Sequence, residues 1–76
     1  MTRIKFIRVD YYDGKVVPIC FLGNDGEYYC IDRVKSISKA AERFEIVYIV
    51  LVKNVIKEIV WKGDDWYLQK EECTDD

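Results

Sequence analysis

The chain has 76 residues, half of them apolar, with twelve basic and fourteen acidic side chains, no histidine and a formal net charge of −2. A chain this short is expected to form one small domain that buries only about 60% of its unfolded surface. The longest uncharged apolar run, Ile46 to Val52, is seven residues, against the ~20 that a membrane-spanning helix needs.

The charge is unevenly spread. From Asp64 onward six acids stand against Lys70 alone, which leaves eleven basic and eight acidic side chains before that point. A surplus this small and scattered is not the basic stripe of a nucleic-acid footprint. Residues 1–70 are expected to form a single β domain and the acidic residues 71–76 a frayed tail. "MTRIKFIRVDYY" has no apolar stretch of leader length, and an odd number of cysteines without a leader suits a reducing compartment. The expectation is a soluble cytoplasmic protein.

In chain order, β-branched and aromatic residues dominate from the start, and such residues fit a pleated, half-buried surface. Asp13-Gly14 and Asp25-Gly26 interrupt these runs, and Asp-Gly is a strong hairpin signal. Strands are predicted at about 3–12, 15–23 and 27–35, forming a meander. A three-residue loop at Asn24-Asp25-Gly26, with Gly26 left-handed, opposes Leu22 to Tyr28, Cys20 to Cys30 and Ile19 to Ile31. The same treatment of Tyr12-Asp13-Gly14 opposes Val9 to Val17, Ile7 to Ile19 and Phe6 to Cys20. Pro18 has no N–H for a central ladder and marks an edge, a bulge or a bend. Residues 36–43, "SISKAAER", break the β pattern and have room for one helical turn. Strands resume at 44–52 and 55–62 around Lys53-Asn54, and a last one follows Gly63 at "WYLQK". Both faces of the meander are apolar and Ile46 to Val52 has no polar face. The sheet must therefore curl and be covered, or pair with a second copy.

Catalytic groups are sparse. Without histidine there is no imidazole acid–base group, and Ser36 and Ser38 have no evident base. The paired carboxylates Asp64-Asp65 and Glu71-Glu72 fall in a turn and in the tail, where solvation is the default. Cys20 and Cys30, opposed across a hairpin, are near enough to be bonded or to lie side by side as thiols. Their ordinary reading is two small apolar residues filling a tight core layer. Zinc would need two further ligands, and the third cysteine lies in the acidic tail. The expectation is no enzyme, no cofactor and no metal. Arg33, Trp61, Trp66 and Tyr67 form the candidate binding surface, since exposed rings stack on bases or on peptides. Core filling is the plainer role for most rings.

The segments "DGKVVPICFLGNDGEYYCIDRVKSISKAA" and "VYIVLVKNVIKEIVWKGDDWYLQ" resemble a family of short uncharacterised proteins of clostridia and related bacteria. The resemblance rests on Pro18, Asp25-Gly26, Tyr29, Ile31 to Val34, Ala40-Ala41, Tyr48 and Trp66-Tyr67-Leu68, and covers about residues 13–69. It implies a small β-rich domain and supplies no activity. One departure is plain: the family's glycine-rich loop after Ala41 is replaced by "ERFEI".

The fold expected is all-β, about six antiparallel strands in a small barrel or rolled sheet with at most one short helical turn. The function expected is a non-enzymatic protein-interaction module, with a possible homodimer. The alternative is a weak nucleic-acid-binding β-barrel.

Overall fold

The structure is a computed structural model that describes residues 2–40 and 44–69. The acidic tail lies outside these residues. Among the described residues all the regular structure is β. Eight strands follow in chain order: β1 (Thr2–Arg3), β2 (Ile7–Tyr12), β3 (Lys15–Leu22), β4 (Tyr28–Cys30), β5 (Arg33–Ala40), β6 (Glu45–Val52), β7 (Val55–Lys62) and β8 (Asp65–Leu68). They pair antiparallel in two sheets, a five-stranded one ordered β1-β8-β7-β6-β5 and a three-stranded one ordered β2-β3-β4.

The count exceeds six because two expected strands are each split by a corner. The first predicted strand bends at Ile4–Phe6, where the Ile4 N–H donates to the Trp66 carbonyl and the Phe6 carbonyl accepts from Leu22. The third bends at Ile31-Asp32, whose N–H groups donate to Ile19 in one sheet and Leu51 in the other. Strands that switch sheets make the corners of crossed sheet packings. Backbone pairing among the described residues leaves β1, β5, β2 and β4 as sheet edges, so neither sheet closes into a barrel.

Residues 36–40 are strand, not a helical turn, and 41–43 lie outside the described residues. "RVKSISKA" keeps a period of two once one bulge is allowed. Val34 pairs with Val50 and Ser36 with Ile49, so Lys35 is the extra residue.

The turns divide the two hairpin expectations. At Gly23–Glu27 the three-residue loop forms as read: Gly26 is left-handed at φ 84° and Cys20 faces Cys30, Leu22 faces Tyr28. The Asp25 carboxylate accepts from the Glu27 N–H at 3.0 Å and from the Tyr29 hydroxyl. Those bonds, that of Tyr29 first, hold its pKa below the usual carboxylate value. Gly23 must be bare, since a Cβ there would lie 2.6 Å from Cε2 of Tyr29.

The first hairpin corrects the expectation. Asp13 and Gly14, at φ 57° and 76°, make a two-residue turn that pairs Tyr12 with Lys15. Val9 therefore faces Pro18, and Ile7 faces Phe21 rather than Ile19. Arg8 faces Cys20, so Ile19 is an extra residue on β3. Pro18 thus stands beside a bulge, one of the places where its missing N–H is harmless.

The core lies between the sheets. Phe21 from the small sheet meets Tyr48, Val50, Val52, Ile59 and Trp66 from the large one, with Ile4 at the first corner. On β6, Tyr48, Val50 and Val52 point inward and are essentially fully buried, while the alternate Val47, Ile49 and Leu51 are partly covered on the outer face. The Tyr48 ring sits 5.5 Å from Trp66, and its hydroxyl crosses to the small sheet, donating to the Val16 carbonyl at 2.7 Å. Burial raises the Tyr48 phenol above its ordinary pKa, so it remains a donor throughout the neutral range.

Two stability outcomes follow. Tyr48→Phe keeps the ring and removes the bond between sheets, and should cost about 1 kcal/mol in urea unfolding. Gly26→Ala meets no atom within 4 Å, so its cost is left-handed backbone strain alone, about 1 kcal/mol. An unchanged midpoint in either variant would contradict the corresponding interaction.

Candidate functional site

The four residues singled out in the sequence do not converge. Trp61 and Trp66 are Cα partners across β7 and β8, with rings parallel to within 2° and 5.1 Å apart. They sit on the inner face, Trp66 in the core and Trp61 half-buried at its margin. Tyr67 projects from the opposite face, where its Cα partners are Val60 and Arg3. Arg33 is exposed at the start of β5, opposite Leu51. Only the tryptophans come together, and they occupy one another's ring faces.

The thiols also depart from the expectation. Cys20 is partly exposed and Cys30 exposed, both unbonded. They fill no buried layer, because Phe21 and Tyr29 take the inward positions and stack there with centroids 5.6 Å apart. Strand alternation turns the cysteines outward.

A different set of residues does converge. Three strands do not cover the inner face of five. Beyond the core the β2–β3 hairpin tip stands over the far ends of β5, β6 and β7, leaving a groove of about 570 Å³. Tyr11, Gly14, Lys15 and Val16 form one wall, and Ile37, Lys39, Ile46, Tyr48 and Trp61 the other and the floor. Ile37 is 40% exposed there, a large aliphatic side chain left in the open. The volume falls in the range of binding clefts, and so does the mixture of apolar floor and few polar groups.

Among the described residues the groove has one sign of charge. Of these, Lys15 and Lys39 line it and no acid does, in a chain whose net charge is negative. Neither lysine has an ion-pair partner among the described residues. The apolar floor thins the solvent that would screen the two ammonium groups, so their field favours anionic groups. Among the described residues no cluster of three His, Cys, Asp or Glu is placed to hold a metal ion. Among the described residues there is no helix long and apolar enough to cross a membrane.

Sequence reasoning reached Trp61 and missed Ile37, Lys39 and Ile46 as its companions. The missed signal is the alternation in "SISKA", which puts Ile37 and Lys39 on one face and the two serines on the other.

Comparison with known proteins adds no relative: no family model, curated protein or solved structure matches the chain.

An anionic aromatic dye, anilinonaphthalene sulfonate, tests whether the groove accepts an apolar anion. Saturable binding with energy transfer from tryptophan is expected, weakened several-fold in the Lys15→Glu/Lys39→Glu double variant, since both cations face the same site. Equal binding to parent and double variant would show that the dye sits elsewhere.

Proposed function

We propose that the chain is a non-enzymatic protein-interaction module. It holds an extended segment of a partner, rich in acidic and apolar side chains, in the groove beside β5. One observation carries this reading. The apolar, lysine-lined groove opens beside a sheet edge, because among the described residues β5 pairs with β6 alone. An extended chain laid along such an edge gains main-chain hydrogen bonds, and alternate side chains drop into the cleft. The bulge at Lys35 interrupts the edge, which leaves residues 36–40 as the regular stretch for pairing.

The two sheets are taken as one rolled sheet, bent at its two corners and open along the groove. The free thiols suit a reducing compartment, which supports a cytoplasmic location. Kinship with the short clostridial proteins is proposed on the residue pattern given above. A homodimer belongs to the same reading. The outer face of the small sheet exposes Phe6 and Tyr28, whose rings meet edge-to-face at 5.9 Å, and a second copy would cover them in a dimer that exchanges with a monomer whose outer face is open. The stacking of Trp61 on Trp66 weighs against the nucleic-acid alternative, because stacked indoles offer bases fewer free ring faces.

Panning a random peptide library displayed on phage against the full chain tests the proposal. Enriched peptides should alternate acidic and apolar residues, and Ile37→Asp or Lys39→Glu should weaken them by about tenfold or more. Absence of enrichment, or peptides indifferent to both substitutions, would overturn the groove as the site. Sub-micromolar, salt-sensitive binding of an oligonucleotide would overturn the protein reading in favour of the alternative.

A further inference from the structure

The hairpin β3–β4 carries its two thiols in a particular kind of register position. The Ile31 N–H donates to the Ile19 carbonyl at 2.8 Å, and the Gly23 N–H to the Glu27 carbonyl at 2.8 Å. Hydrogen-bonded and non-hydrogen-bonded pairs alternate along an antiparallel ladder. Pairs 19/31, 21/29 and 23/27 therefore take the hydrogen-bonded positions, and Cys20–Cys30 takes a non-hydrogen-bonded one. There the Cα atoms approach to about 4.5 Å, and side chains are at their closest. That spacing falls within the range of about 4.4–6.8 Å in which two cysteines can be bridged. Both side chains stand on the same outward face, turned away from the groove. The geometry is thus set by backbone pairing, which holds the two thiols side by side on a face that reagents reach.

We infer that Cys20 and Cys30 form a reversible cross-strand redox pair, oxidised to a disulfide by low-molecular-weight disulfides such as glutathione disulfide. The exposed Cys30 thiolate attacks one sulfur of the reagent, forming a mixed disulfide and expelling one thiolate. The partly covered Cys20 thiolate then attacks the Cys30 sulfur, closes the bridge and expels the second. The two protein thiols lose two electrons and two protons, and the reagent becomes two thiols. In a reducing compartment such a bond is transient and responsive rather than structural. Closing it staples the three-residue edge strand β4 to β3, one residue before the corner at Ile31 where the chain changes sheets.

The test uses the full chain with Cys73→Ser, so that the pair is read alone, equilibrated in glutathione buffers of graded ratio and analysed by intact mass and peptide mapping. The expected product is a monomer lighter by two hydrogens, with the Cys20 and Cys30 peptides linked and the bond lost again on return to reduced glutathione. In a Cys20→Ser variant the reaction should stop at one glutathione on Cys30. In denaturant the linked fraction should fall, because the folded register supplies the proximity. A parent protein that keeps a stable glutathione on Cys30 would overturn the inference. So would disulfide-linked dimers in place of the internal bridge, or a linked fraction unchanged by denaturant.

Discussion

Tyr48 sits where the two sheets depend on each other. Its ring lies in the core against Trp66, on the central part of β6, and its hydroxyl reaches the backbone of β3 in the other sheet. A domain of this size has little apolar area to spare, so a single large residue that fills volume and fixes the separation of the sheets has a disproportionate effect. The same residue borders the groove. The core and the candidate site are therefore two ends of one packed row, from Val52 and Val50 through Tyr48 to Ile46.

That continuity explains why the groove exists. The inner face of the large sheet is apolar along the whole of β6, but the small sheet is narrower and spans only its nearer part. Where Phe21 and Ile4 cover it, the face is core. Where only the tip of the β2–β3 hairpin reaches, Ile37, Ile46 and Trp61 line an open cleft. Closing it would need another strand or larger side chains at the hairpin tip. The tip instead carries Gly14 and Lys15, a turn residue and a cation, which keep the cleft open and charged.

The small sheet has a second identity on its outer side. Alternation along β3 and β4 sends Phe21 and Tyr29 inward and Cys20, Leu22, Tyr28 and Cys30 outward. Tyr29 is tied down by Asp25 and lies over Gly23, with the Lys53 ammonium 5.3 Å from its ring centroid. This places the rigid side of the hairpin toward the large sheet and leaves the thiols on the side that solvent reaches. Groove and thiol pair thus occupy opposite faces of the same three strands.

Local chemistry determined most of the ladder. Asn24-Asp25-Gly26 specified its own loop, because a left-handed glycine at the third position fixes which residues oppose, and with that the facing of Cys20 and Cys30. Val55 to Lys62 and its turn were equally legible, since Lys53-Asn54 separates two unbroken β runs. Other features needed the tertiary structure. In the first hairpin the two-residue turn sets the pairs as far as Val9–Pro18, and beyond them the bulge at Ile19 moves Arg8 and Ile7 opposite Cys20 and Phe21, a shift that matching apolar residues in one uniform register does not contain. The corners at Ile4–Phe6 and Ile31-Asp32 lie inside stretches that read as continuous strand, because a residue donating to one sheet or to the other has the same local preferences. "SISKA" is strand only because β6 offers it a partner. The sequence by itself determined an all-β chain and one hairpin register. Which sheet each half-strand joins, and so which side chains are left around an open groove, was decided by long-range pairing, whose energy resides in contacts that no local window contains.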